Sequence, residues 1–293
     1  MNTDFLKGSW VALVTPFNEK LEIDYGALER LLDLHKSAKT DGLLICGTTG
    51  EAVTLSLQEK IELMSFVKKY TGGNIPIMFG TGSNDTRSSI DLTAKAASMG
   101  ADSVLVVTPY YNKPPQKGLL EHFTAVAAAT ELPVVLYNVP GRTGTNMLAG
   151  TSLELAKISN IKAIKEASGN LDQIMELIRK APPGFTVFSG DDALNLPIMA
   201  CGGAGCISVT ANIAPAMMKK FSDLALAGNI REAAKVHFKL LDLHRNLFCE
   251  ANPLPAKAAL KVKGLMEDYV RLPLCRPSAD TVELMKTTID GLE

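Results

Sequence analysis

The sequence predicts a (β/α)8 barrel with a C-terminal helical appendage. Three observations point there. Short apolar runs alternate with longer amphipathic stretches, as in parallel strands joined by helices. The short runs are apolar almost throughout, so both of their faces are buried. Eight such units fit into roughly 225 residues, near the length usual for this barrel. An open doubly wound sheet would carry a glycine-rich loop after its first strand, and the first strand here ends in VTPF instead.

The strands read as WVALVT (10–15), GLLIC (42–46), IPIMFG (75–80), SVLVV (103–107), PVVLYN (133–138), IKAIK (161–165), FTVFSG (185–190) and GCISV (205–209). Helical patterns lie between them. Tyr25 to Ala38 carries Leu28, Leu31, Leu32 and His35 at helical spacing. Leu57 to Tyr70, Asp85 to Met99, Gln116 to Thr130, Leu171 to Arg179 and Ala211 to Ala227 follow suit. Asp24, Ser56, Asn84 and Asn170 are placed to cap helix N-termini. From Asn229 onward there is no strand pattern, only three helical ones, the second starting near Asn252-Pro253. The expected division is a barrel over residues 1–228 and a helical domain over 229–293.

Of the 293 residues, 46% are hydrophobic, enough for a sizeable core, and the net charge is -1. A nucleic-acid partner would need a basic face, so that class is not expected. The five cysteines suggest no disulfide framework, and Cys46 and Cys206 sit in strand-like runs, as reduced thiols would. MNTDFLKGSW lacks the basic and apolar regions of a secretory signal, and no apolar run is long enough for a bilayer. A cytoplasmic protein without membrane partners is expected. His35, His122, His237 and His244 all fall in helical stretches and read as partly exposed positions, so no metal site is expected. Cys201 and Cys206 form no zinc pattern; ACGGAG (200–205) reads as a tight turn, and Asp191-Asp192 as a helix cap.

In such a barrel, function sits at the C-terminal ends of the strands. There the sequence places GTTGE (47–51), GTGSN (80–84), TPYYNKP (108–114), YNVPGRTG (137–144), Lys165 and SGDD (189–192). Surface loops alone account for glycine and threonine at a rim. They do not account for Lys165, paired tyrosines, Tyr137 and Arg142 together. A lysine ending a strand ordinarily snorkels to water. Alternation, however, puts Ile161, Ala163 and Lys165 on one face, and Lys162 and Ile164 on the other. If the first face is the barrel interior, the Lys165 amine is desolvated and its pKa falls. A neutral amine there attacks a ketone or aldehyde, and Tyr137 on the neighbouring strand can shuttle the proton.

Taken together, GTTGE, TPYYNKP, YNVPGRTG, IKEASGN (164–170), SGDD and CEANPLPAKAAL (249–260) strongly resemble dihydrodipicolinate synthases, over essentially the whole chain and in the family's order. The resemblance implies condensation of pyruvate with L-aspartate 4-semialdehyde, the committed step towards diaminopimelate and lysine, without a cofactor. It implies that Lys165 forms the imine and that Tyr137, Thr49 and Tyr111 form a proton relay. Tyr111 would reach into a neighbouring subunit's site, within a homotetramer made of two tight dimers. Arg142 would bind the carboxylate of the semialdehyde, Thr48 and Thr49 the carboxylate of pyruvate, and the backbones of Gly190 and Ile207 would line the pyruvate pocket. Many relatives are inhibited by lysine in a cleft between subunits. Asn84 and Tyr110 match that cleft, but Leu57, Lys60 and Ser88 replace its histidines and glutamate, so weak or absent inhibition is expected. Two rival readings differ only in part: another pyruvate-dependent lyase acting on a sugar acid or sialic acid, and a barrel that binds a keto acid without catalysis. A phosphate-binding isomerase would rest on ACGGAG alone, with no lysine or arginine following it before Lys219.

Overall fold

The computed structural model describes residues 3–292. Eight parallel strands close into a barrel: β1 (Gly8–Ala12), β2 (Gly42–Ile45), β3 (Ile77–Gly80), β4 (Ser103–Val107), β5 (Val134–Asn138), β6 (Ile161–Glu166), β7 (Thr186–Ser189) and β8 (Gly205–Ser208). β1 pairs with both β2 and β8, which shuts the ring. The first strand begins two residues before its predicted start because Gly8 already pairs with Gly205. Along each strand the side chains alternate between two apolar layers. Leu105, Val135, Ala163 and Phe188 fill the interior, while Val104, Val106, Val134 and Leu136 face the surrounding helices.

The helices between strands are α1 (Tyr25–Ala38), α2 (Leu57–Thr71), α3 (Thr86–Ser98), α4 (Gln116–Ala127), α5 (Pro140–Thr143), α6 (Ala149–Leu155), α7 (Leu171–Lys180), α8 (Asn195–Ala200) and α9 (Pro215–Leu226). Asp24, Ser56 and Asn170 cap helices as their sequence positions suggest, Ser56 in a full capping box with Glu59. The cap of α3 is Asp85 rather than Asn84: its carboxylate accepts from the Ser88 N–H. The single helix expected over 211–227 is divided. A 3-10 turn at Thr210–Asn212 comes first, and Pro215, which cannot donate a backbone hydrogen bond, opens α9. Then follow α10 (Ile230–Asn246), α11 (Leu254–Val262) and α12 (Ala279–Asp290). α10 packs on α8 and α9, and α12 against α10 and α11.

Two expectations are corrected here. Ile161 belongs to the outer layer, not to the face of Ala163 and Lys165. The β5–β6 register skips a residue at that point: Val134 pairs with Ile161 and Val135 with Ala163. All four histidines are buried rather than partly exposed. Three of them turn inward to hydroxyls: His35 Nδ1 stands 2.9 Å from Thr40 Oγ1, His122 Nδ1 2.9 Å from Thr86 Oγ1, and His244 Nδ1 2.8 Å from Thr210 Oγ1. Burial pushes His35 down to about 3 and His237 to about 4, so both are neutral rings near pH 7. The cysteines are all free, with Cys46 and Cys206 buried. No helix among the described residues is long and apolar enough to cross a membrane.

Candidate active site

Lys165 lies near the C-terminal end of β6, directly across from Tyr137 on β5. Its side chain continues the inward face of Ala163 and is only 5% exposed. The Nζ sits 4.5 Å from the centre of the Tyr137 ring. No carboxylate among the described residues is in salt-bridge contact with it. Burial pushes the amine down from 10.5 to about 8; Asp192 opposes that shift and the Arg142 charge adds to it. Gly190, just past β7, makes room for this lysine. A Cβ there would stand 2.9 Å from Lys165 Cγ and 3.0 Å from Cε.

Lys165 borders a cavity of about 140 Å³ together with Tyr137, Thr48, Thr49, Arg142, Gly190 and Asn252. A second cavity, of about 230 Å³, adjoins it and shares Thr48, Tyr137 and Arg142 while reaching Tyr110, Val53 and Cys46. Burial raises the Tyr137 phenol, against the Arg142 charge and a hydrogen bond with Thr48. The hydroxyl that meets Tyr137 is therefore that of Thr48, one residue before the Thr49 that the resemblance suggested for the relay. Thr49 is buried and its Oγ1 accepts instead from Asn252 Nδ2 at 3.0 Å.

The remaining candidates divide. Arg142, on the short α5, is exposed yet borders both cavities. Tyr111 borders neither; it is 89% exposed with φ at 74°, a left-handed conformation unusual for a residue with a Cβ. Ile207 is buried in the inner layer, and from β8 onward it is Val209 that borders the smaller cavity. Among the cleft positions, Tyr110 borders the larger cavity. Leu57 is exposed at the start of α2, with Lys60 one turn on. Ser88 is exposed in the first turn of α3, its Oγ donating to Asp85 Oδ2 at 2.6 Å, and the Asn84 carbonyl accepts from Asn112 Nδ2 at 2.8 Å.

Sequence reasoning missed three residues here. Asn252 and Phe248, from the segment after α10, help line the smaller cavity. Asp192, expected as a cap, is instead a buried carboxylate that accepts from the Val209 and Thr210 N–H groups, each at 2.9 Å. Burial pushes Asp192 up, but His244 and these hydrogen bonds together hold it below the usual carboxylate range. The cap of the short 3-10 turn is Asp191. Asn252 stands 203 positions from Thr49, beyond the reach of any periodicity; its place in CEANPLPAKAAL was the available signal.

Known proteins resemble this chain along nearly its whole length. A model of the dihydrodipicolinate synthetase family matches residues 5–291. The chain is 49% identical to 4-hydroxy-tetrahydrodipicolinate synthase of Bacillus velezensis over 281 residues, 96% of this chain and 97% of that protein. It is 46% identical to 4-hydroxy-tetrahydrodipicolinate synthase 1 of Halalkalibacterium halodurans over 279 residues, 95% of each chain. The chloride-inhibited dihydrodipicolinate synthase of Acinetobacter baumannii, solved as a complex with pyruvate, superposes with a TM-score of 0.96 at 42% identity, covering 98% of both chains. The enzyme from Aquifex aeolicus gives 0.94 at 43% identity, covering 97% of both. The chain belongs to the dihydrodipicolinate synthetase family.

Proposed function

We propose that this chain is a 4-hydroxy-tetrahydrodipicolinate synthase, condensing pyruvate with L-aspartate 4-semialdehyde through an imine on Lys165. One observation carries this: a buried lysine without a carboxylate partner, beside Tyr137 in a cavity at the mouth of the barrel. An amine held near 8 is neutral in about a tenth of molecules at pH 7, against less than a thousandth for an ordinary lysine. The neutral amine adds to the keto carbon of pyruvate, and the carbinolamine loses water to give an iminium. Loss of a methyl proton makes the enamine, whose carbon attacks the aldehyde and forms the new C–C bond. The amino group derived from the semialdehyde then displaces Lys165 from the imine carbon, closing the ring and freeing the enzyme.

Tyr137 is placed to move protons at the carbinolamine, and Thr48 to pass them on. Arg142 faces the cavity with the planar fork that suits the semialdehyde carboxylate. Thr48 and Thr49 hold the pyruvate carboxylate, next to Gly190 and the end of β8 carrying Ile207. Tyr111, exposed and strained, completes the relay of a second copy of the chain in a tight dimer, and two such dimers form the tetramer. The lysine imine is the electron sink, so the cycle invokes no cofactor. We place the enzyme in the cytoplasm, where its free thiols stay reduced. With Leu57, Lys60 and Ser88 in the cleft, a cationic amino acid finds no carboxylate partner at those positions. Steady-state assays with lysine are expected to show weak or no inhibition, and half-inhibition below about a millimolar would contradict that.

Trapping tests the central claim. The protein is incubated with pyruvate, reduced with borohydride, digested and mapped by mass spectrometry. A reduced pyruvate adduct on Lys165 is expected. An unmodified Lys165 in folded protein sinks the mechanism. An Arg142→Ala variant separates the second substrate from the first: it should still be trapped with pyruvate, yet turn over the semialdehyde poorly. A sugar-acid lyase would show the trapped adduct without semialdehyde turnover.

A further inference from the structure

We propose that Lys257, in α11, is a positioning residue for the pyruvate-carboxylate loop, acting through a buried ion pair with Glu51. The proposal rests on the reading of Lys165 as the imine-forming amine. The Lys257 side chain is fully buried, and Glu51 is nearly so. Lys257 Nζ stands 2.5 Å from Glu51 Oε1, donates to the Tyr269 carbonyl at 2.8 Å and lies 4.3 Å from the centre of the Phe17 ring. The other carboxylate oxygen of Glu51 accepts from the Arg271 N–H at 3.1 Å. No part of this pair borders either cavity, so it takes no direct part in chemistry.

What the pair holds is the loop that does. Glu51 directly follows Thr48-Thr49-Gly50 and has φ at 53°, a conformation that a residue with a Cβ adopts only when its surroundings enforce it. The loop is gripped at three successive residues. Thr49 Oγ1 accepts from Asn252 Nδ2 at 3.0 Å, the Gly50 carbonyl from Thr15 Oγ1 at 2.8 Å, and Glu51 meets Lys257. Two of those grips come from one short segment, Asn252 to Lys257, at the junction of the barrel with its C-terminal helices. A buried ion pair contributes little net stability against well-packed apolar groups, because both charges lose water. It does fix a distance and a direction. Its role here is to set where Thr48 and Thr49 stand relative to Lys165.

The test separates holding the fold from holding the loop. Three variants are made in the full chain: Lys257→Met, the double variant Glu51→Gln with Lys257→Met, and Glu51→Asp, which keeps both charges but withdraws the carboxylate by one methylene. Each is read by melting temperature and by the pyruvate concentration that half-saturates borohydride trapping on Lys165. The double variant removes the unpaired charge and should recover most of the melting temperature lost in Lys257→Met. Its half-saturating pyruvate should still be raised roughly tenfold to a hundredfold, the effect of a small misplacement of a binding group. At saturating pyruvate the adduct on Lys165 should form in full. Glu51→Asp should raise half-saturation in the same direction, and it decides together with the double variant if Lys257→Met fails to fold. Half-saturation within about twofold of the parent in the double variant and in Glu51→Asp, whatever the melting temperature, overturns the proposal and leaves the pair a structural contact. Absence of trapping on Lys165 in the parent protein overturns the reading of the site beneath it.

Discussion

Lys165 and Lys257 are both buried lysines, and burial pushes both amines down to about 8, yet their surroundings differ. At the C-terminal junction the amine of Lys257 meets a carboxylate, a backbone carbonyl and a ring face. At the barrel mouth the amine of Lys165 meets the Tyr137 ring and a cavity. A satisfied amine is a structural part. An amine with open space beside it carries an energetic penalty that only a reaction partner relieves. The contrast teaches that pKa direction alone does not mark a catalytic lysine; what the nitrogen touches does.

The sharpest break of that comparison is Lys165→Met. Turnover should fall by about four orders of magnitude or more, since the nucleophile is gone. The protein should meanwhile become more stable. Depressing a lysine from 10.5 to about 8 costs about 3 kcal/mol at neutral pH. The sign follows from proton binding. Between pH 8 and 10.5 the unfolded state holds the proton and the folded state has lost it, so parental stability rises with pH across that window. The advantage of the methionine variant should be full below about pH 8 and vanish by about pH 10.5 in denaturant titrations. A variant less stable than the parent at pH 7 would place Lys165 with Lys257, as a structural residue.

The counterpart, Lys257→Met, should go the other way in stability. It leaves Glu51 as a buried carboxylate without its cation, an arrangement that typically costs 3–5 kcal/mol. Urea unfolding at pH 7 checks it. A loss under about 1 kcal/mol would mean that water reaches the Glu51 carboxylate and would weaken the contrast.

The two adjacent threonines divide along the same line. Thr48 meets the Tyr137 hydroxyl, whereas Thr49 meets Asn252 and so belongs with the C-terminal junction. Thr48→Val should lower kcat about a hundredfold, as expected for removal of one member of a proton relay. Thr49→Val should chiefly raise KM for pyruvate. The reverse pattern would return the relay to Thr49, where the resemblance to the family first put it.

The same division marks what could be read in advance. The barrel was legible because its signal is local: eight apolar runs alternate with amphipathic stretches, and each run lies within a few residues of its strand. Lys165, Tyr137 and Arg142 were legible because the barrel rule sends strand ends to one rim. The inward face of β6 was only half legible. Alternation is a local rule, and the register skip beside Val134 is set by the neighbouring strand. The histidines were misjudged because helical spacing does not show what packs over a ring: the hydroxyl beside His122 is that of Thr86, 36 positions away on another helix, and the one beside His244 is that of Thr210, 34 positions away. Asn252 and Lys257 lie more than two hundred positions from Thr49 and Glu51, which they hold, and nothing in spacing or composition joins such residues.

The smallest expected effect is the most direct measure of what sets Lys165 apart. If its amine titrates near 8 in the folded protein, the rate of imine formation at low pyruvate should follow the neutral fraction. That rate should then climb about tenfold per pH unit below the inflection and level off above about 8. Single-turnover trapping between pH 6 and 9.5 reads it, with the keto acid ionised throughout. Asp192 offers the means to move the inflection, because its buried carboxylate favours the charged amine. Asp192→Asn should shift the inflection to lower pH and speed imine formation at pH 7, even if later steps that need a stabilised iminium become slower. Lys257 predicts the opposite for its own neighbourhood: modification of its satisfied amine by an acylating reagent should require unfolding at any pH in that range. An inflection for Lys165 near 10, unmoved by Asp192→Asn, would show that the cavity is wet enough to keep an ordinary lysine, and the distinction between the two amines would be lost.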